Sequence, residues 1–165
     1  MKIVKIFNNN AVATIAENDS DLILTGSGIG FQKKIGDRID ERKIEKRYLY
    51  EGGEKNALYQ LFSRTPSEYF TISSLIMEEA GKRLNVPLKD QTIITLTDHI
   101  CFAIERYKDG TELPNLVLRE IQTLYKEEYQ IGIWGLTMIE EKLGIHLAND
   151  EAGYIALHII NGSTK

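Results

Sequence analysis

Residues 25–34 read TGSGIGFQKK, with glycine at positions 26, 28 and 30. The spacing is one residue short of the Gly-x-Gly-x-x-Gly loop that holds the pyrophosphate of a dinucleotide. That loop opens a helix and needs a small third glycine, but Phe31 stands at the third position here. Gly36 also interrupts the residues that follow, which carry no helical apolar pattern. The stretch is therefore not a nucleotide loop.

Three alternate glycines leave backbone without side-chain bulk, which can adopt positive φ and lets another surface approach closely. An aromatic ring can stack on an unpaired base, asparagine can pair with base edges, and lysine can meet phosphates. Phe31, the lysines beside it and the nearby asparagines thus favour an RNA-binding surface. The alternative fits the pattern equally well: Asn8 to Asn10 form only a hairpin turn, the glycines only a bend, and Phe31 joins the core.

Short apolar or alternating runs surround this loop and predict a small antiparallel sheet. They cover residues 2–6, 11–16, 22–25 and 47–51, and turn-forming residues separate the first three runs. A domain of about 50 residues buries too little surface to be comfortably stable alone. We therefore expect this β domain to form a dimer.

After residue 55 the apolar residues repeat with the period of a helix. A capping box at residues 65–68 predicts a helix that ends near Asn85. Other start and stop signals predict helices over residues 90–107, 114–125 and 149–160, and a further helix that ends at residue 143. The predicted fold class is α+β with two domains: a small antiparallel β-sheet domain (1–55) and an all-α bundle of about five helices (56–165).

The composition, 42% hydrophobic and 27% charged over 165 residues, is that of a soluble globular protein. No run approaches the ~20 apolar residues of a membrane helix, so we expect a cytoplasmic protein without membrane insertion. The net charge of −4 divides into +2 for residues 1–50 and −6 for the rest, which permits RNA binding by the first part. The single cysteine, Cys101, excludes an intrachain disulfide and fits a small buried apolar residue.

Several motifs in one order carry a family resemblance. They are KIVKIFNNN at 2–10, GSGIGFQKK at 26–34, GDRIDERKIEK at 36–46, LTDHICFAIER at 96–106 and DEAGYIALHI at 150–159. The first three resemble the co-antiterminator (CAT) RNA-binding domain of bacterial transcriptional antiterminators of the BglG/SacY/LicT family. The last two resemble the first phosphotransferase-system (PTS) regulation domain (PRD) of that family.

The resemblance implies a symmetric β dimer that clamps an RNA hairpin, the ribonucleic antiterminator, so that an overlapping terminator cannot form. It implies no cofactor and no catalysis. Ser27 stands where some members have arginine, which weakens any phosphate contact from that position. Members usually carry two regulation domains, so we expect a shortened form of a longer protein, or else an unusual short member. The candidate RNA-binding residues are Lys5, Asn8, Asn10, Gly26, Ser27, Phe31 and Gln32.

The chain has three histidines, at positions 99, 146 and 158. By helical spacing His99 lies about 120° from the apolar stripe of its helix, which predicts a surface residue. His158 lies in a helix that is apolar nearly all round, which predicts a hydrogen-bonded interior residue. No Cys, His or carboxylate run has metal-ligand spacing, so we expect no metal.

The resemblance places His99 and His158 at the family's regulatory phosphorylation positions, supported by Asp98 and Arg106, and leaves His146 without a role. The implied phosphoryl donors are components of the sugar phosphotransferase system, a sugar permease component or the phosphocarrier HPr. Two alternatives remain open at this point. One is a histidine phosphocarrier enzyme, and the other is a helical protein-interaction module joined to a β dimerisation segment.

Overall fold

In a computed structural model of the chain, residues 1–163 are described. They form two compact units, which divide between Ser67 and Glu68. A four-stranded antiparallel sheet belongs to the first unit, and long helices form the second. The predicted α+β class is confirmed. The domain boundary predicted after residue 55 stays a prediction, because compactness alone does not define a functional domain.

The sheet is a meander in which each strand pairs with the next along the chain. The strands are β1 (Ile3–Asn8), β2 (Ala11–Ile15), β3 (Asp21–Thr25) and β4 (Lys46–Tyr50). Side chains alternate between the two faces of a strand, so one face of the sheet collects an aliphatic core. That core contains Ile3, Val12, Leu22, Leu24, Ile29 and Ile39.

A helix that is not among those predicted from start and stop signals covers part of the sheet. Helix α1 (Ala57–Arg64) begins where the Asn56 side chain accepts a hydrogen bond of 2.8 Å from the Leu58 amide. Its aromatic residues Tyr59 and Phe62 contact the rings of Phe7, Tyr48 and Tyr50 on β1 and β4. An eight-residue helix is marginal by itself, so this aromatic packing supplies the stability that its local sequence lacks.

The second unit is a bundle of amphipathic helices around one aliphatic core, with Ile72, Ile76, Leu96, Ile100 and Ile155 among its buried members. Cys101 is only half-buried, and Tyr107 is exposed. No helix among the described residues is both long and apolar enough to cross a membrane. The helices are α2 (Ser67–Leu84), α3 (Thr92–Lys108), α4 (Leu118–Leu124), α5 (Lys126–Leu143) and α6 (Asn149–Ser163).

The prediction that a helix begins at Pro114 is wrong, since α4 begins four residues later. Residues 114–117 are instead fastened to α6. The Asn115 amide donates to the Asp150 carboxylate at 2.7 Å, and the Tyr154 hydroxyl donates to the Pro114 carbonyl at 2.7 Å. These tertiary hydrogen bonds outweigh the local start signal of the proline.

The glycine-rich loop is packed against the rest of the first unit. A Cβ on Gly26 would collide with the carbonyl oxygen of Lys43, and one on Gly30 would meet the carbonyl oxygen of Asn8 at 2.5 Å. Gly28 has a φ of +74°, a backbone angle that residues with a side chain rarely adopt. The close approach that these glycines permit is therefore an approach of the protein's own backbone.

We predict that Gly26→Ala destabilises the first unit by about 1–3 kcal/mol, because a Cβ cannot displace a backbone carbonyl without shifting the chain. Native-state hydrogen exchange of the Val12 and Ile23 amides measures this loss. Ser27→Ala, at an exposed position in the same loop, is the control and changes stability by less than about 0.5 kcal/mol. Equal protection in both variants would show that the loop tolerates a side chain at residue 26.

Candidate nucleic-acid interface and histidine cluster

The structure joins the glycine-rich loop to the β1–β2 turn. The Gly26 amide donates to the Asn10 carbonyl at 3.0 Å, and the Gly30 amide donates to the Asn9 carbonyl at 2.8 Å. Ile29, between these anchors, is fully buried in the sheet core. The asparagines and the glycines, which lie about 20 residues apart in sequence, therefore form one surface element.

The asparagine side chains hold part of this element together. Asn8 accepts a hydrogen bond of 2.8 Å from the Asn10 amide, and Asn10 accepts one of 2.9 Å from the Gly28 amide. The side-chain nitrogen of Asn10 donates to the Ser67 hydroxyl at 3.2 Å. In the described residues the side-chain nitrogen of Asn8 has no such partner, so Asn8 keeps a donor that Asn10 has used.

Phe31 lies on the surface of this element, with 54% of its area exposed. The alternative that Phe31 joins the core is therefore wrong, although the asparagines do form a hairpin turn. Ser27 and Gln32 are also exposed, whereas Gly26 is buried. Lys5 is half-buried and lies opposite Ala13 in the β1–β2 ladder.

Lys43 is a cation of this surface that spacing in the sequence did not reveal. Its ammonium group lies 3.5 Å from the Gly28 carbonyl, and its side chain is exposed. It ends a short 3₁₀ turn at Glu41–Lys43, fifteen residues beyond the glycine it approaches. The only sequence signal for it is its place in the motif of residues 36–46.

A second group of polar residues lies in the helical unit, where α3 meets α6. His99 Nε2 is 2.8 Å from Glu151 Oε2, and the Arg106 guanidinium donates to Glu151 Oε1 at 3.0 Å. The rings of Tyr154 and His158 lie 5.3 Å and 5.2 Å from the His99 ring. The Glu151 carboxylate thus connects His99 and Arg106, and His158 lies against His99 in the same site.

The prediction that His99 is a surface residue is wrong, since only 14% of its side chain is exposed. Its flank of α3 faces away from the apolar stripe, but α6 packs against that flank and brings Glu151 with it. The prediction of a hydrogen-bonded His158 is wrong as well. Among the described residues, His158 contacts another ring and has no side-chain hydrogen bond.

The pKa values of two titratable groups in this site, Glu151 and His158, are both lowered. Burial by itself raises the pKa of the Glu151 carboxyl, but the hydrogen bonds and charges of His99 and Arg106 lower it below its usual value. Burial, with a smaller contribution from His99, lowers the pKa of His158 to about 4. At neutral pH Glu151 is therefore ionised and His158 is neutral.

Asp98 and His146 lie in different surroundings from each other. Asp98 is half-buried on α3, but within the described chain the carboxylate that contacts His99 is that of Glu151. His146 is 81% exposed and pairs with Glu140 on the surface at 3.2 Å. The sequence indicates only that Glu151 lies on the same face of α6 as His158, two helical turns before it.

The buried donor Arg106 Nε has no partner among the described groups. A cavity of about 320 Å³ opens beside Arg106 and Glu151, between the end of α3 and residues 146–151. Within residues 1–163 no three His, Cys, Asp or Glu side chains are grouped as metal ligands.

Comparisons with known families divide the chain into two parts. Residues 1–57 match the CAT RNA binding domain, and residues 74–162 match the PRD domain. The crystal structure of GlcT CAT-PRDI is similar over almost the whole chain, with a TM-score of 0.82 and 35% sequence identity. That similarity covers 99% of this chain and 98% of the other.

Two curated relatives are similar over 98% of this chain. One is the transcription antiterminator LicT of Bacillus subtilis (strain 168), which is 40% identical over 162 residues. The other is the beta-glucoside operon antiterminator of Dickeya chrysanthemi, which is 39% identical over 162 residues. The chain spans 58% and 57% of the length of these relatives.

We predict that His158 makes the helical unit less stable in acid. Its pKa is about 4 in the folded chain against 6.5 ordinarily, so between those values only the unfolded chain binds the proton. Stability is therefore lost as the pH falls from 6.5 towards 4, and His158→Gln removes about 2 kcal/mol of that loss, the ring being partly exposed.

Urea unfolding followed by the fluorescence of Trp134, the single tryptophan and a residue of α5, measures this pH dependence. The control is His146→Gln, which removes an exposed histidine and leaves the pH slope unchanged. A wild-type slope in His158→Gln would show that another group carries the acid sensitivity.

Proposed function

Since the chain belongs to the family of transcription antiterminators that join a CAT RNA binding domain to a PRD domain, we propose that it binds an RNA antiterminator hairpin. In this proposal hairpin binding prevents an overlapping terminator from forming in the transcript of a sugar operon. The relatives are named as regulators of transcription, not as enzymes. The chain matches slightly under three fifths of those relatives, and it includes the CAT RNA binding domain.

The observation that carries the proposal is an exposed aromatic ring on a loop that is fixed to a polar turn. Phe31 follows Gly30, whose amide is bonded to the β1–β2 turn. A ring held outward by anchored backbone loses little freedom when it stacks on a base. Asn8 and Gln32 supply side-chain amide groups that suit the edges of unpaired bases, and the side-chain nitrogen of Asn8 is an unused donor among the described residues.

Cations near this surface suit the phosphates of a hairpin. Lys33 and Lys34 follow Phe31 in the chain, and Lys43 lies over the loop at Gly28. Lys43 supplies positive charge close to Ser27, where some family members have arginine. The proposed RNA contacts are thus Lys5, Asn8, Asn10, Gly26, Ser27, Phe31 and Gln32, with Lys43 as an electrostatic addition.

A homodimer is part of the proposal. Val4, Ile15 and Leu49, on three of the four strands, are exposed, and Leu49 is open over 71% of its area. Burying these side chains against a second copy would enlarge a core that is small for its chain length. Two loops would then contact two parts of one hairpin.

The histidine cluster is the proposed regulatory part. We assign phosphorylation by sugar phosphotransferase components, a sugar permease component or HPr, to His99 and His158. A phosphoryl group adds about −1.5 to −2 charges, which on His99 lie beside the ionised Glu151. This repulsion, which Arg106 offsets only in part, would change the packing of α3 and α6 and so lower hairpin binding in the cytoplasm when the sugar is absent.

We predict that Phe31→Ala weakens hairpin binding roughly 5- to 150-fold, because stacking of a base on an aromatic ring contributes about 1–3 kcal/mol. The measurement is the affinity of the chain for a panel of antiterminator hairpins. Phe102→Ala, which removes an equally exposed ring from α3 (52% against 54%), is the matched control and leaves the affinity unchanged. Equal loss or equal retention in both variants would remove Phe31 from the interface.

We predict that His99→Asp and His158→Asp each lower hairpin affinity and dimerisation, because the first adds negative charge next to Glu151 and the second adds it beside the His99 ring. A coupling of about 1–3 kcal/mol corresponds to a loss of roughly 5- to 150-fold. Sedimentation and hairpin titration measure the two effects. His146→Asp, on the exposed surface, is the control, and unchanged behaviour of both cluster variants would contradict the regulatory assignment.

A further inference from the structure

The two ring nitrogens of His99 lie in different surroundings. Nε2 is 2.8 Å from a Glu151 carboxylate oxygen. Nδ1 has no hydrogen-bond partner among the described residues. The hydroxyl of the neighbouring Tyr154 is not its partner, because that hydroxyl donates to the Pro114 carbonyl. The site therefore distinguishes the two nitrogens before any phosphoryl donor arrives.

An ionised carboxylate can only accept hydrogen bonds, so the hydrogen between Glu151 and His99 belongs to the histidine. Glu151 is held in its ionised form by His99 and by the guanidinium of Arg106, and its pKa is lowered accordingly. In the form of the imidazole that has a free lone pair, Nε2 then carries the proton. The lone pair that can act as a nucleophile is left on Nδ1.

Glu151 also blocks the other nitrogen. An incoming phosphoryl group is negatively charged, and the carboxylate lies directly beside Nε2. The opposite partner of Glu151, Arg106, fixes the carboxylate from its second oxygen at 3.0 Å. Attack through Nε2 would require the hydrogen bond between His99 and Glu151 to break, while Arg106 holds the carboxylate in place.

We propose that Nδ1 of His99 is the phosphoryl acceptor and that Glu151, held by Arg106, is the positioning residue that selects it. The inference rests on the proposed function for the phosphorylation of His99. Its own content is the choice of nitrogen and the residue that makes the choice. His158 has no carboxylate contact of this kind among the described residues, so Glu151 does not select between its nitrogens.

The transfer balances with a protein phosphohistidine as donor. The Nδ1 lone pair attacks phosphorus and forms an N–P bond, while the donor's N–P bond breaks and its electron pair returns to the donor nitrogen. The Nε2 proton stays on His99. The ring then carries a positive charge, which the Glu151 carboxylate balances through the bond it already makes.

Phosphorus NMR distinguishes phosphohistidine isomers and so tests the choice of nitrogen. The folded chain is treated with phosphoramidate, a small chemical phosphoryl donor, and in further arms with phosphorylated HPr and with the phosphorylated sugar permease component. His99→Ala identifies which signal belongs to His99. We expect the Nδ1 isomer at His99 to exceed the Nε2 isomer roughly tenfold or more, because a hydrogen bond to a charged group must otherwise be broken.

Glu151→Gln replaces the carboxylate with a neutral amide. Because an amide can both donate and accept, it no longer requires the proton of His99 to be on Nε2, and we expect the excess of the Nδ1 isomer to fall severalfold. Glu140→Gln is the matched control: Glu140 contacts a histidine at the surface, and its change leaves the His99 ratio as in the wild type. An unchanged ratio in Glu151→Gln would overturn the role of Glu151.

The tautomer of wild-type His99, read from nitrogen NMR, tests the same point without a variant that could fail to fold. A proton on Nδ1, a phosphoryl group on Nε2, or reaction of only the other histidines with phosphoramidate would each overturn the inference. If phosphoramidate labels Nδ1 but phosphorylated HPr and the permease component transfer nothing, the inference stands and the proposed regulation by phosphorylation fails. Transfer from those donors to Nε2 would overturn the inference and leave the proposed regulation standing.

Discussion

The Glu151 carboxylate is the interaction on which the helical site depends. It accepts from His99 with one oxygen and from Arg106 with the other, and so ties the outer flank of α3 to the first turn of α6. Burying a carboxylate is costly unless its hydrogen bonds are satisfied, and two partners from one neighbouring helix satisfy both oxygens. Removing either partner leaves one oxygen of the buried carboxylate without its hydrogen bond, which lowers the stability of the fold. The same arrangement gives His99 one occupied and one open nitrogen.

In the first unit, backbone hydrogen bonds rather than charged side chains hold the functional loop in place. Gly26 and Gly30 let the loop approach the carbonyls of Lys43 and Asn8. The amides of the two glycines then bond to the β1–β2 turn, and Ile29 fills the sheet core between them. A loop fixed in this way presents Phe31 outward. The glycines of the quoted stretch thus act inside the protein, and the ring that follows them supplies the surface.

Much of the architecture could be predicted because it depends on local periodicity. The alternating runs predicted the meander, and capping and glycine stops predicted most of the long helices. Helix α1 was not predicted because its stability comes from aromatic rings on the sheet, Phe7 and Tyr48 among them. The start of α4 was misplaced because hydrogen bonds from Asn115 and Tyr154 hold the preceding residues outside a helix. In both cases a partner distant in sequence decided the outcome.

The histidine site divides in the same way. The sequence by itself determined which residues share a helical face, so spacing placed Glu151 and His158 on one face of α6, and it supplied the motifs that mark His99. Only the tertiary structure decided that His99 is enclosed, that its Nε2 meets Glu151, and that Lys43 approaches the loop. Helical spacing gives the direction of a side chain from its own axis. It contains no information on which neighbouring element covers that direction, and packing between elements determines this.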